Sequence, residues 1–161
     1  MLTDPEWLKY ARSKLGEREI AGPRHNPWIV RGLAKLKAWW ADDETPWCGF
    51  FVAHCMEEAG LPFPKHWYRA KGWTDYGSRL RSDRIAPGAI LVFDRKGGGH
   101  VGFYVGESIR HYYVLGGNQG NKVSIAPISK DRCVAIRWPK DEAVIGTMVY
   151  MTGGKVSTNE A

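Results

Sequence analysis

The sequence predicts an α+β fold with helices first and an antiparallel sheet after them. Two observations carry this expectation. Up to about residue 60, apolar residues recur at helical spacing between capping signals; from residue 87 onward they fall into short runs bounded by turn residues. Helices followed by a run of strands is the pattern of an α+β domain, not of alternating parallel units.

The helical half reads in order. Asp4 to Leu15 is expected to be a helix, with Asp4 as cap, Pro5 in the first turn and Gly16 at the end. Trp7, Leu8, Ala11 and Leu15 make its apolar stripe. Glu17 to Asn26 is a loop containing Gly22-Pro23, and Pro27 to Trp40 is a second helix weakened by Gly32. Ala41 to Glu44 is a polar connection. Pro46 to Ala59 is the third helix, with Thr45 as cap and Gly60 and Pro62 as stops. Cys48, Val52, Cys55 and Ala59 share one stripe of it, and Phe50, Phe51 and Met56 make most of the remainder apolar. Such a helix belongs at the centre of the molecule.

Leu61 to Arg84 holds prolines, aromatics and one or two helical turns. Pro87-Gly88 is a turn, Ala89 to Phe93 a buried strand, and Lys96 to Gly99 a flexible loop. His100 to Val105, Tyr112 to Leu115, Lys122 to Ile128 and Cys133 to Trp138 are the further strands. The length of 161 residues suits one domain, expected over 1–153, with a polar, frayed tail over 154–161.

Composition narrows the chemistry. Hydrophobic residues are 43% and charged residues 25%, ordinary for a soluble globular chain. Eight tryptophans call for a packed aromatic core, an aromatic-lined groove, or both. The net charge of +6 favours an anionic partner. The basic residues are dispersed and carry no nucleic-acid module signature, so no nucleic-acid partner is expected. No apolar run is long enough to span a bilayer, and the N-terminus lacks the pattern of an ordinary signal peptide. Three cysteines allow at most one disulfide and imply no disulfide framework. Walker, Rossmann, G-x-S-x-G and EF-hand motifs are absent. Cys48 and Cys55 lie on one helix without a C-x-x-C pair or a histidine at ligand spacing, so neither a metal nor another cofactor is expected.

Cys48 stands in Thr45-Pro46-Trp47-Cys48-Gly49-Phe50-Phe51, within the first turn of the expected third helix. There the positive end of the helix dipole favours a thiolate over a thiol. A thiolate nucleophile needs a base. His54 follows by six residues on the same helix and points away from Cys48. His25, His66 and His111 fall in loops or turns. His100 follows three glycines and opens a strand in which Val101, Phe103 and Val105 face the core while His100, Gly102 and Tyr104 share the other face.

Pairing that strand with the next supplies a third residue. With a five-residue loop from Glu107 to His111, Gly106 faces Tyr112, Tyr104 faces Val114, Gly102 faces Gly116 and His100 faces Asn118. Directly opposed residues have Cβ atoms roughly 4.5–5.5 Å apart. An Asn amide there would orient the imidazole, the Cys-His-Asn form of the catalytic triad. The alternative is a plain hairpin with an incidental histidine and a turn-forming asparagine.

Pro46 to Ile128 resembles the NlpC/P60 and CHAP group of papain-like cell-wall hydrolases. The resemblance rests on Pro46-Trp47-Cys48-Gly49-Phe50-Phe51-Val52, on Pro87-Gly88-Ala89-Ile90-Leu91-Val92-Phe93, on Gly99-His100-Val101-Gly102-Phe103-Tyr104-Val105-Gly106, and on Leu115-Gly116-Gly117-Asn118-Gln119-Gly120-Asn121. The residue after the proline-glycine turn is usually acidic in that group and is Ala89 here, and the acidic calcium loop of some members is not evident. The resemblance implies a papain-like fold with the cysteine-bearing helix packed on the sheet. It implies Cys48 as nucleophile, His100 as base and Asn118 as third residue, and peptidoglycan as partner. Hydrolysis would fall on an amide bond of stem peptides or cross-links. Trp47, Trp67, Trp73 and Tyr104 are candidates for the substrate groove, with core packing as the competing role. Expected alongside are a monomer and delivery to the wall by a holin, as for a phage endolysin. An interbacterial toxin amidase and a non-catalytic wall-binding module are the rival readings.

Overall fold

The computed structural model describes residues 4–17, 27–36, 47–154 and 156–157. Three helices, α1 (Glu6–Ser13), α2 (Pro27–Lys35) and α3 (Cys48–Glu58), precede six strands. The strands are β1 (Ser78–Arg79), β2 (Ile90–Arg95), β3 (Gly98–Glu107), β4 (His111–Gly116), β5 (Ser124–Ser129) and β6 (Cys133–Trp138). They form one antiparallel sheet in the order β1-β6-β2-β3-β4-β5. The α+β expectation therefore holds, with β3 central and α3 packed against it.

Local chemistry explains the helix ends. Pro5, not Asp4, is the N-cap of α1; its carbonyl accepts from the N–H groups of Leu8 and Lys9. Asp4 instead accepts from Arg12 Nε at 2.6 Å, so its carboxylate staples the helix side-on. Trp47 is the N-cap of α3 and Cys48 its first residue. The expected Thr45 cap and Pro46, like His25 and the far end of the second helix, lie outside the described residues. Gly60, at φ 73°, ends α3 in a Schellman turn, with Leu61 N–H bonded to Met56 O and Gly60 N–H to Glu57 O.

Eight consecutive residues of α3, Gly49 to Met56, are buried. A helix that is apolar all round belongs inside, and this one lies between the sheet and α1. Trp7, Trp47, Trp67, Trp73 and Trp138 are all buried, so these five tryptophans build core. Trp7 meets Trp138 edge-on at 5.2 Å and donates its Nε1–H to Gly88 O at 2.8 Å.

The hairpins differ from expectation in two places. Lys96-Gly97 is a tight two-residue turn between Arg95 and Gly98, with Gly97 at φ 81°, where a flexible loop was expected. On β3 and β4, Gly106 faces Tyr113 and Glu107 faces Tyr112, one residue away from the expected pairing. An irregularity between Tyr104 and Gly106 then restores Tyr104 opposite Val114. A shorter loop and a bulge thus cancel, and the register near the histidine is the expected one. Beyond Trp138 the chain runs as a strap across the end of β3, where Glu107 N–H bonds to Val149 O and Met151 N–H to Glu107 O. The tail is anchored at Ser157, whose N–H donates to Pro127 O at 2.8 Å, so it is not wholly frayed.

Replacing Trp7 by alanine removes an edge-on ring contact, a buried hydrogen bond and core volume. The expected loss is about 3–5 kcal/mol of stability, read as a lower urea midpoint.

Candidate active site

The site begins where α3 meets β3. Cys48 is half-buried at the first position of α3, and His100 is fully buried on β3. Gly49 makes the approach possible: a Cβ there would stand 2.2 Å from Trp67 O. Only a residue without a side chain lets this turn of α3 lie against the 62–77 loop. Trp73 Nε1–H donates to the same carbonyl at 3.0 Å and holds it in place.

Opposing influences act on the Cys48 thiol. Burial pushes its pKa up, since a thiolate loses hydration there. The hydrogen bond to His100, the charge that ring can carry, and the backbone N–H groups of Val101 and Gly49 push it down. The net shift is downward from the ordinary 9.0. The helix start adds to this, because the N–H groups of a first turn have no helical acceptor.

The far side of the ring is held by Gln119. His100 Nε2 lies 2.8 Å from Gln119 Oε1. The Gln119 amide nitrogen donates to Val114 O at 3.0 Å and to Ser124 O at 2.8 Å. Two carbonyl acceptors on one side of the amide settle its orientation, so Oε1 must face the histidine. His100 Nε2 then carries the proton and donates it, and Nδ1 is left with the lone pair that a thiol proton needs. Gly116 leaves room for this bond: a Cβ there would stand 2.6 Å from Gln119 Oε1 and 3.2 Å from His100 Nε2.

This corrects the expected role of Asn118. The ladder stops at Gly116, and Asn118 adopts a left-handed conformation at φ 60°. The extrapolated pairing of His100 with Asn118 assumed that β4 continued, and it does not. Asn118 is buried close by, but the side chain that reaches the ring belongs to the next residue, one methylene longer. The signal was present in Asn118-Gln119, and only the turn geometry chooses between the two amides.

The aromatic candidates also need correction. Trp47, Trp73 and Tyr104 are 0% exposed and Trp67 is 7% exposed, so none offers a ring face to a groove. Tyr104 donates to Glu107 Oε1 at 2.7 Å and accepts from Val149 N–H at 3.1 Å, which latches the strap to β3. Among the other histidines, His54 packs away from the site, stacked on Phe50 and bonded to Tyr10 Oη at 2.7 Å. Burial lowers its pKa to about 4 and keeps it neutral.

A thiol at a helix start, a buried imidazole on a central strand and an amide behind that imidazole come together on an α+β scaffold and make up the candidate site. Residues 40–118 match the family model of the CHAP domain, which places this segment among CHAP domains. Domains of that family are typically hydrolases of the amidase or peptidase type that act on peptidoglycan. No curated protein matches the chain. No described helix is long and apolar enough to cross a membrane.

The lowered thiol pKa has a measurable consequence. Alkylation of Cys48 by iodoacetamide should rise with pH about a midpoint below 9.0. In His100→Ala the lowering contacts of the ring are gone while burial remains, so the midpoint should move upward. An unchanged midpoint would show that the ring does not act on the thiol.

Proposed function

We propose that this chain is a peptidoglycan hydrolase that cleaves an amide bond of stem peptides or cross-links by thiol chemistry. The observation that carries the reading is the relay Cys48–His100–Gln119, in which the Gln119 amide lies 2.8 Å behind the ring that acts on the thiol. His100 Nδ1 takes the proton from Cys48, leaving a thiolate and an imidazolium. The thiolate attacks the scissile carbonyl carbon, and the carbonyl electron pair moves to oxygen. Backbone N–H groups at the start of α3, that of Cys48 first, are suited to stabilise this oxyanion. Collapse forms a thioester, and the amine leaves with the proton from Nδ1. Water, deprotonated by the same nitrogen, releases the acid and restores the thiol.

Gln119 does not touch the reacting atoms in this scheme. It is a positioning residue that keeps the proton on Nε2 and stabilises the imidazolium when it forms, the role the resemblance had given to Asn118. The net charge of +6 supports approach to an anionic wall. The delivery route we favour is that of a phage endolysin released through a holin.

Digestion of purified peptidoglycan followed by mass spectrometry of the muropeptides tests the reading and names the bond. Cys48→Ala is expected to stop product formation while keeping a folded circular-dichroism spectrum. Full cleavage by that variant would falsify the mechanism. Gln119→Ala should lower kcat by about tenfold or more, since general acid–base contributions run to about 10²–10⁴. Asn118→Ala should affect kcat less than Gln119→Ala does; the reverse order would return the positioning role to Asn118.

A further inference from the structure

One short segment runs along the rim of the catalytic pair. At one end Trp67 O lies against Gly49, beside the nucleophile. At the other, Lys71 Cε is 2.9 Å from where a Cβ of Gly99 would stand, beside the base. Between them Ala70 and, just beyond, Trp73 turn inward and are buried, while Tyr68 is half-buried and Arg69 and Lys71 are exposed. Two backbone bonds tie the segment: Arg69 N–H to His66 O at 3.0 Å and Gly72 N–H to Arg69 O at 2.9 Å.

Its outer face is built around Tyr68. His66 Nδ1 is 3.0 Å from Tyr68 Oη, which fixes the phenol. The Arg69 guanidinium sits over the Tyr68 ring, 5.6 Å from its centroid. The two cations of the segment differ. Lys71 is ion-paired with Asp94, whereas among the described residues no carboxylate pairs with Arg69. A guanidinium held on an aromatic face keeps its forked donors free for a planar anion.

We propose that Arg69, carried on Tyr68, is the subsite for a free carboxylate of the wall stem peptide, and so sets which stem peptides the enzyme prefers. This rests on the hydrolase reading above and names the substrate feature that the same site selects. The carboxylate would accept two N–H bonds from Arg69 while the amide to be cleaved lies at Cys48. An amidated stem peptide offers a neutral carboxamide and loses the charge-assisted pair.

The test uses two muropeptides that differ only in whether the α-carboxylate of the second stem residue is free or amidated. Wild-type protein should show kcat/KM about tenfold higher for the free acid, the scale of one charge-assisted pair. Arg69→Gln should bring that ratio close to one, mainly through KM. Arg84→Gln, which removes the same charge from an exposed position elsewhere, should keep it. Equal wild-type rates on the two substrates, or an Arg69→Gln variant that keeps the wild-type ratio, would overturn the proposal. Binding of both muropeptides to Cys48→Ala, followed by calorimetry, separates the two readings. A carboxylate preference in binding without any cleavage by wild type overturns only the hydrolase reading; cleavage without preference overturns only the subsite.

Discussion

The Gln119 amide acts in two directions at once, and the arrangement of the site follows from that. Its nitrogen is anchored to the carbonyls of Val114 and Ser124, which belong to β4 and β5. Its oxygen is thereby aimed at His100 Nε2. An acceptor fixed behind the imidazole decides which nitrogen holds the proton. The amide can sit there because Gly116 has no side chain and because the chain turns sharply through Asn118, Gly120 and Asn121, all at positive φ. The outer strands of the sheet therefore act on the proton chemistry, through one hydrogen bond.

A second close approach positions the Cys48 thiol. Gly49 against Trp67 O brings the start of α3 under the 62–77 loop, and Trp73 Nε1 holds that carbonyl. Burial alone would make Cys48 a poor nucleophile by raising its pKa. His100 and the backbone N–H groups of Val101 and Gly49 outweigh it. The contrast with Cys55 is instructive: about two turns further along the same stripe, it is buried without such donors, and burial drives its thiol well up. Two cysteines on one helix thus have opposite acidities because only one of them lies at the turn that meets the strand.

Much of the fold was legible in the amino-acid pattern. The α+β class, the central buried third helix and the existence of β2 to β6 follow from periodicity and turn residues, which are local properties; the short β1 and the full extent of β2 and β3 do not. The register at His100 was reached through two compensating departures, a shorter loop and a bulge near Val105. Neither is written in an alternation of apolar and polar residues. The eight tryptophans were legible as bulk but not as location. A ring that could line a groove and a ring that fills a core have the same sequence signature, and here Trp47, Trp67 and Trp73 fill the core.

Capping residues and periodicity act within a few positions, so the sequence by itself determined that Cys48 stands at a helix start and that His100 lies on a strand, although that strand opens at Gly98 and not at His100. For the third polar group it pointed to Asn118, next to the residue that bonds the ring. Only the tertiary structure decided that Gln119 holds the ring, that Tyr104 latches the C-terminal strap, and that Trp67 and Lys71 lie against Gly49 and Gly99. Those assignments depend on where β4 ends and on which backbone approaches which glycine. Such distances between segments far apart in the chain are set by packing, not by local propensity.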